Sequence, residues 1–178
     1  TPYAGVRPPS QSVPIDPFIV PGDRSSGLLK WVENDHGLPT GSADHYTQAY
    51  NYRYYTTRAP EHRAPITPPP DYNAQDYELV GRYVEYLKAE HADQKQLFEK
   101  LKHIFPGWMN AREWNYHRGS LITMAPVGVS HFYASGDYAE KARIWKLHQD
   151  YLRGLHTFMS TDPRVPQAFR QSTAELGL

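Results

Sequence analysis

The sequence predicts an α+β domain, a small mixed or antiparallel sheet packed against two or three helices, with a long Pro-rich N-terminal arm. Three observations predict it. Apolar side chains recur at helical spacing through residues 137–160. Tyr and Thr alternate with other residues along residues 47–57, the pattern of a strand. Residues 1–46 hold seven prolines and no sustained period. The chain therefore divides into an extended arm, 1–46, and an α+β domain, 47–178.

The rest is arranged around residues 136–166, GDYAEKARIWKLHQDYLRGLHTFMSTDPRVP. Asp137 can cap the first helical turn, and Glu140 can reach back to the cap amide. Ile144, Leu147, Tyr151, Leu155 and Phe158 form one row, with Trp145, Leu152 and Met159 beside it. Lys141, Lys146, Gln149, Asp150 and Arg153 fill only a narrow strip, so this is the central, largely buried helix. Gly154 costs helix propensity at mid-helix, which predicts a close approach to the backbone there. The Ser160-Thr161-Asp162-Pro163 run ends the helix, and Pro166 opens a short one through Glu175.

In the arm, residues 13–21 are extended by their prolines and residues 22–27 read as a turn. So long a stretch without regular structure suits a lid, a docking arm or a contact with a partner. Along 47–57, one face carries Tyr50, Tyr52 and Tyr54, and the other Ala49, Asn51, Arg53 and Tyr55. Two readings of the second face stand: the floor of a polar pocket, or a solvated face. Five prolines mark 58–72 as a connection. Asn73 caps a helix to about Glu90 with Leu79, Val80, Tyr83 and Leu87 on one side. Another helix covers 93–104 until Phe105-Pro106-Gly107, and 119–129 reads as a short strand and a loop.

The chain has 178 residues, enough for one domain with a core. Lys+Arg and Asp+Glu are both 19, so charge makes no case for nucleic acid or an anionic membrane. No run has the length of a membrane span. The absence of cysteine excludes disulfides, thiolate catalysis and cysteine-ligated metal centres. A mean hydropathy of −0.71 with 14 Tyr, 16 Pro and 9 His describes a soluble, aromatic-rich, loop-rich domain.

Neither GxGxxG nor GxxxxGKS/T occurs, and there is no GxSxG elbow or HExxH helix. His148 and His156 lie two turns apart on the central helix, too far for one ion without help, and read as polar edges of an aromatic core or as surface residues. The remaining cluster is Trp114-Asn115-Tyr116-His117-Arg118. It suits a pocket for a hydroxylated or carboxylated ligand, with Arg118 as anion anchor and His117 as acid/base, or else a structural loop anchored by its aromatics.

Four ordered blocks resemble one family. Residues 47–53, TQAYNYR, and the helix-bearing DYNAQDYELVGRYVEYL are similar to the "VQAYNFR" strand and "KPEGYDPARYELLLRYL" helix of FAD-dependent oxidoreductases, some of them named xanthan-lyase-like. VPIDPFIVPGDRSSGLL resembles that family's "VDPYVVPGDPSSGLL". ARIWKLHQDYLRGLHTFMSTDPRVP resembles its "EKIWQEHKDYTLGLLYFLANDPRVP". The resemblance covers the family's middle, substrate-side region, without the glycine fingerprint that meets the FAD pyrophosphate. It implies a fragment of a larger flavoprotein that transfers hydride from a small organic or sugar-like substrate to FAD. The cofactor would be held with a flanking FAD-binding half, in cis or as a separate chain, and not by this chain alone, which on its own would be inactive. Asn51, Arg53, Asn115 and Arg118 then become substrate-binding candidates and His117 the catalytic one. The family's Lys/Thr-Asp-Ile-Asn-Asn type loop is replaced here by Asn115-Tyr116-His117-Arg118-Gly119-Ser120-Leu121, which leaves the substrate open. A non-catalytic carbohydrate- or protein-binding module is the alternative.

Overall fold

The structure, a computed structural model, describes residues 13–34, 37–39, 41–102, 113–114 and 122–178. Its regular elements are strand β1 (Tyr54–Tyr55), helices α1 (Glu78–Glu90) and α2 (Gln94–Lys102), strand β2 (Glu113–Trp114), and helices α3 (Tyr138–Thr161) and α4 (Gln167–Ala174). Short 3₁₀ turns occupy Arg24–Ser26, Pro60–His62 and Ala74–Tyr77. The fold is helix-rich.

α3 begins where its sequence says it should. Asp137 accepts the Glu140 amide at 2.8 Å, while the Glu140 carboxylate turns to Arg143 rather than back to the cap. Its second half is buried on nearly every side, Tyr151, Leu152, Leu155, Phe158 and Met159 all lying in the core. Its first half is buried on one face only, at Ile144 and His148. Trp145, placed beside the core by helical phase, is instead 51% exposed. α4 folds back against α3, and the Ala74–Tyr77 turn packs against both α1 and α3. The helix expected from Asn73 thus starts as a 3₁₀ turn, with Asn73 accepting the Gln75 amide at 3.0 Å, before α1 proper.

Gly154 is the expected close approach. A Cβ there meets the hydroxyl and ring of Tyr77, whose O–H donates to the Tyr151 carbonyl at 2.9 Å. Trp31 takes a left-handed backbone (φ 67°), rare for a bulky residue, and sets its ring edge-on to Tyr151 at 5.0 Å.

The expected sheet needs correction. Among the described residues, the only strand in 47–57 is Tyr54–Tyr55, opposite Trp114 and Glu113 in an antiparallel pair. A β-bridge joins Thr57 to Gly177, and a second joins Pro65 to Gly177. The C-terminal residues therefore stitch the 57–65 connection from both sides (Thr57 N–H to Gly177 O at 2.9 Å, Ala64 N–H to Leu178 O at 2.7 Å). Alternation in 47–57 is real, but its partner is chiefly α3: aromatic side chains interdigitate with a helix where strands were expected. Residues 122–130 form bends and turns where a short strand was read. The stop at residues 105–107 and residues 119–121 lie outside the described residues.

In the arm, residues 17–29 close on themselves through Ile19 N–H to Gly27 O (3.0 Å) and Leu29 N–H to Pro17 O (2.8 Å). Arg82 of α1 clamps this loop. Its guanidinium donates to the carbonyls of Asp16 (2.9 Å), Phe18 (2.7 Å) and Ile19 (3.1 Å) and to Glu78 (3.1 Å). Lysine cannot reproduce that fork. Arg82→Lys is expected to raise amide exchange across residues 16–29 while lowering global stability by only about 1–2 kcal/mol. Unchanged exchange in that loop counts against the clamp.

Candidate functional site

Tyr50 and Tyr52 lie on the first half of α3, while Tyr54 packs against Trp114. Tyr50, Tyr52 and Tyr54 are half-buried and Thr56 buried, whereas Ala49, Arg53 and Tyr55 are exposed. The Tyr50 ring stacks flat on the His148 imidazole, 4.5 Å between centroids and 7° between planes. Tyr52 meets His148 edge-on at 6.0 Å and Trp145 at 6.2 Å, and Tyr133 meets Tyr50 edge-on at 5.4 Å. Lys141 sits 5.8 Å over the Tyr133 ring and 6.0 Å over that of Tyr138. These contacts form one connected aromatic face, with Trp145 half-exposed and Tyr138 fully so at its margin.

His148 is its buried polar centre. The Ile144 carbonyl lies 2.8 Å from Nδ1, and a carbonyl can only accept, so Nδ1 carries the proton. Nε2 is then an acceptor for the buried Ser130 hydroxyl at 3.3 Å. Burial lowers the His148 pKa, against weaker opposing hydrogen bonds, so the ring is neutral at physiological pH. The Tyr50 and Tyr52 hydroxyls are buried without hydrogen-bond partners among the described residues. Burial, reinforced by Tyr52 and Tyr133, pushes Tyr50 up to about 12, so this phenol stays a neutral donor.

No protein-family model, curated protein or solved structure matches this chain.

Asn51 is half-buried, and its amide Nδ2 donates to the Tyr52 carbonyl at 3.1 Å, leaving its oxygen available to accept. Arg53 is exposed and adjoins β1. Asn115, His117 and Arg118 lie outside the described residues. The strand register nevertheless relates the two candidate groups. Tyr54 pairs with Trp114, so the residue before Asn115 lies opposite the residue after Arg53.

Sequence reasoning did not select Ser130, Tyr133 or His148 for this face. One signal was present for His148. It falls in the helical phase of Ile144, Tyr151 and Leu155, a polar residue in a core position. His156 is also a core residue, its Nε2 3.2 Å from the Thr173 carbonyl and its ring 6.0 Å from Trp114. Among the described residues, no three His, Asp or Glu side chains converge as a metal ion requires. No described helix is long and apolar enough to cross a membrane.

A separate small cavity under Trp31, bordered by Tyr77, Thr123 and Tyr151, holds about 20 Å³. That is room for one water, far below the size of an organic ligand's pocket.

Proposed function

We propose that residues 47–178 supply the substrate side of an FAD-dependent oxidoreductase that acts on a small organic or sugar-like substrate. The observation that carries this reading is that the four blocks resembling that family meet through residues inside the blocks. Arg82 of the second helix block clamps residues 16–19, and Tyr50 of TQAYNYR stacks on His148 of the α3 block.

In this reading bound FAD would supply the hydride acceptor, and a flanking FAD-binding half, in cis or as another chain, would hold its pyrophosphate. This chain has no glycine fingerprint to do so. Arg53 and Arg118 anchor an anionic substrate group, Asn51 and Asn115 hydrogen-bond its hydroxyls, and His117 takes the proton from the hydroxyl being oxidised. The aromatic face, with the Tyr50 and Tyr52 hydroxyls buried inside it, excludes water.

The exposed Trp145 and Tyr138 at the margin of that face favour a second reading, a non-catalytic carbohydrate-binding module. A visible absorption spectrum separates the two. The protein expressed with its natural flanking sequence is mixed with FAD and freed of excess. The first reading expects a retained flavin spectrum that bleaches when substrate is oxidised. A blank spectrum, with sugars changing the tryptophan fluorescence of the 178-residue chain, makes it the binding module.

A further inference from the structure

About 20 Å from His148 along α3, by the rise of an α-helix, the chain builds a second site. The α1–α2 and α3–α4 junctions border a groove of about 380 Å³, the size of a small-molecule pocket. Its cationic lining is Lys88, Arg164 and Arg170, with His91 beside them, and no carboxylate lines it among the described residues.

The acids that meet these cations stand outside the lining and hold them in place. Glu85 takes Lys88 at 2.9 Å. Asp162 and Glu78 take Arg164 at 3.0 and 2.7 Å, and Gly81, lacking a Cβ, lets that guanidinium lie against α1. Burial works against the charged form of Asp162, but hydrogen bonds from Arg164 outweigh it, with a smaller pull from Arg170. Arg170 differs from the other two cations. Its Nε–H is buried without an acceptor, and it has no ion pair among the described residues. Lys88 retains donor capacity beyond Glu85 and its long contact to the Arg164 carbonyl (3.4 Å). Leu97, Pro163 and Val165 supply an apolar wall beside these donors.

We propose that this groove binds the phosphate group of a small phosphorylated molecule, with Arg170 and Lys88 donating to its oxygens and the apolar wall taking the organic part. A guanidinium with an unused buried N–H and no carboxylate in ion-pair contact among the described residues is matched by an oxyanion, and a second cation favours a dianion over a carboxylate.

The test uses the 178-residue chain, titrated with inorganic phosphate and with glycerol phosphate at constant ionic strength, with chloride as the control. Thermal unfolding reads out binding. The expected result is a saturable rise in Tm for both, tighter for glycerol phosphate, with affinity reduced about tenfold or more by Arg170→Gln. Lys88→Gln gives a smaller loss and carries the test if the Arg170 variant fails to fold. A rise no greater than that with chloride overturns the proposal, as does unchanged affinity in the folded variants. Binding of inorganic phosphate alone overturns the phosphorylated-molecule class.

Discussion

Gly154→Ala is expected to destabilise the protein by about 2–4 kcal/mol, although alanine is the better helix former by about 1 kcal/mol. The new methyl group occupies the space of the Tyr77 hydroxyl and overlaps its ring. Tyr77 cannot swing away cheaply. It is 4% exposed, hydrogen-bonded to the Tyr151 carbonyl, and stacked against Tyr72 and Tyr151 at 6.0 Å each. Displacing it unpacks the turn joining α1 to α3 and leaves a buried hydroxyl without its acceptor. Urea unfolding measures the loss. Repeating Gly154→Ala in a Tyr77→Leu background gives the decisive comparison. The cost of the added methyl should shrink sharply there, because its obstacle is smaller, whereas equal costs in both backgrounds place the strain elsewhere.

That contact was legible in one line of sequence, a glycine in the middle of an otherwise apolar helix. So were the caps at Asp137 and Asn73, because they depend on neighbours two or three residues away. Trp145 and the 47–57 segment were misread for a common reason. Helical phase and strand alternation report which side chains share a face, but not what covers that face. Trp145 has the phase of a core residue on a half-helix buried along one face only. The tyrosines alternate as a strand should, yet Tyr50 and Tyr52 pack on α3, and among the described residues only Tyr54 and Tyr55 form a strand. For the candidate site, Asn51 and Arg53 were visible from alternation. The register that sets Trp114 beside Tyr54 was not, because pairing between residues sixty apart leaves no local trace. Ser130 was equally invisible, since it becomes His148's partner only through the turn that precedes α3.

Acidification from about pH 7 to pH 4.5 is expected to cost about 2–3 kcal/mol of stability through His156 alone. Its side chain is nearly fully buried, stacked near Trp114, with Nε2 directed at the Thr173 carbonyl of α4. Burial lowers its pKa to about 4 from an ordinary 6.5, and the carbonyl offsets only part of that. The unfolded chain therefore takes a proton on this ring as pH falls through 6.5, while the folded chain refuses it until about 4. Stability is fully present above the upper value and drains away between the two. A full shift is worth about 3 kcal/mol at 1.36 kcal/mol per unit. His148, also lowered chiefly by burial, drains in the same direction. Asp16 and Asp162 act lower, since their folded pKa values lie below 3.8 and their stabilisation is lost only near and beneath that value. The histidine and carboxylate contributions thus occupy different parts of the acid limb. Urea midpoints across this range separate them when compared with His156→Gln, whose amide can still donate to Thr173 but does not titrate. The variant should be less stable at neutral pH and lose much less between pH 6.5 and 4. An unchanged slope there shows that the ring gains its proton without cost, which requires water or a carboxylate at a position where this fold supplies a backbone carbonyl and an indole.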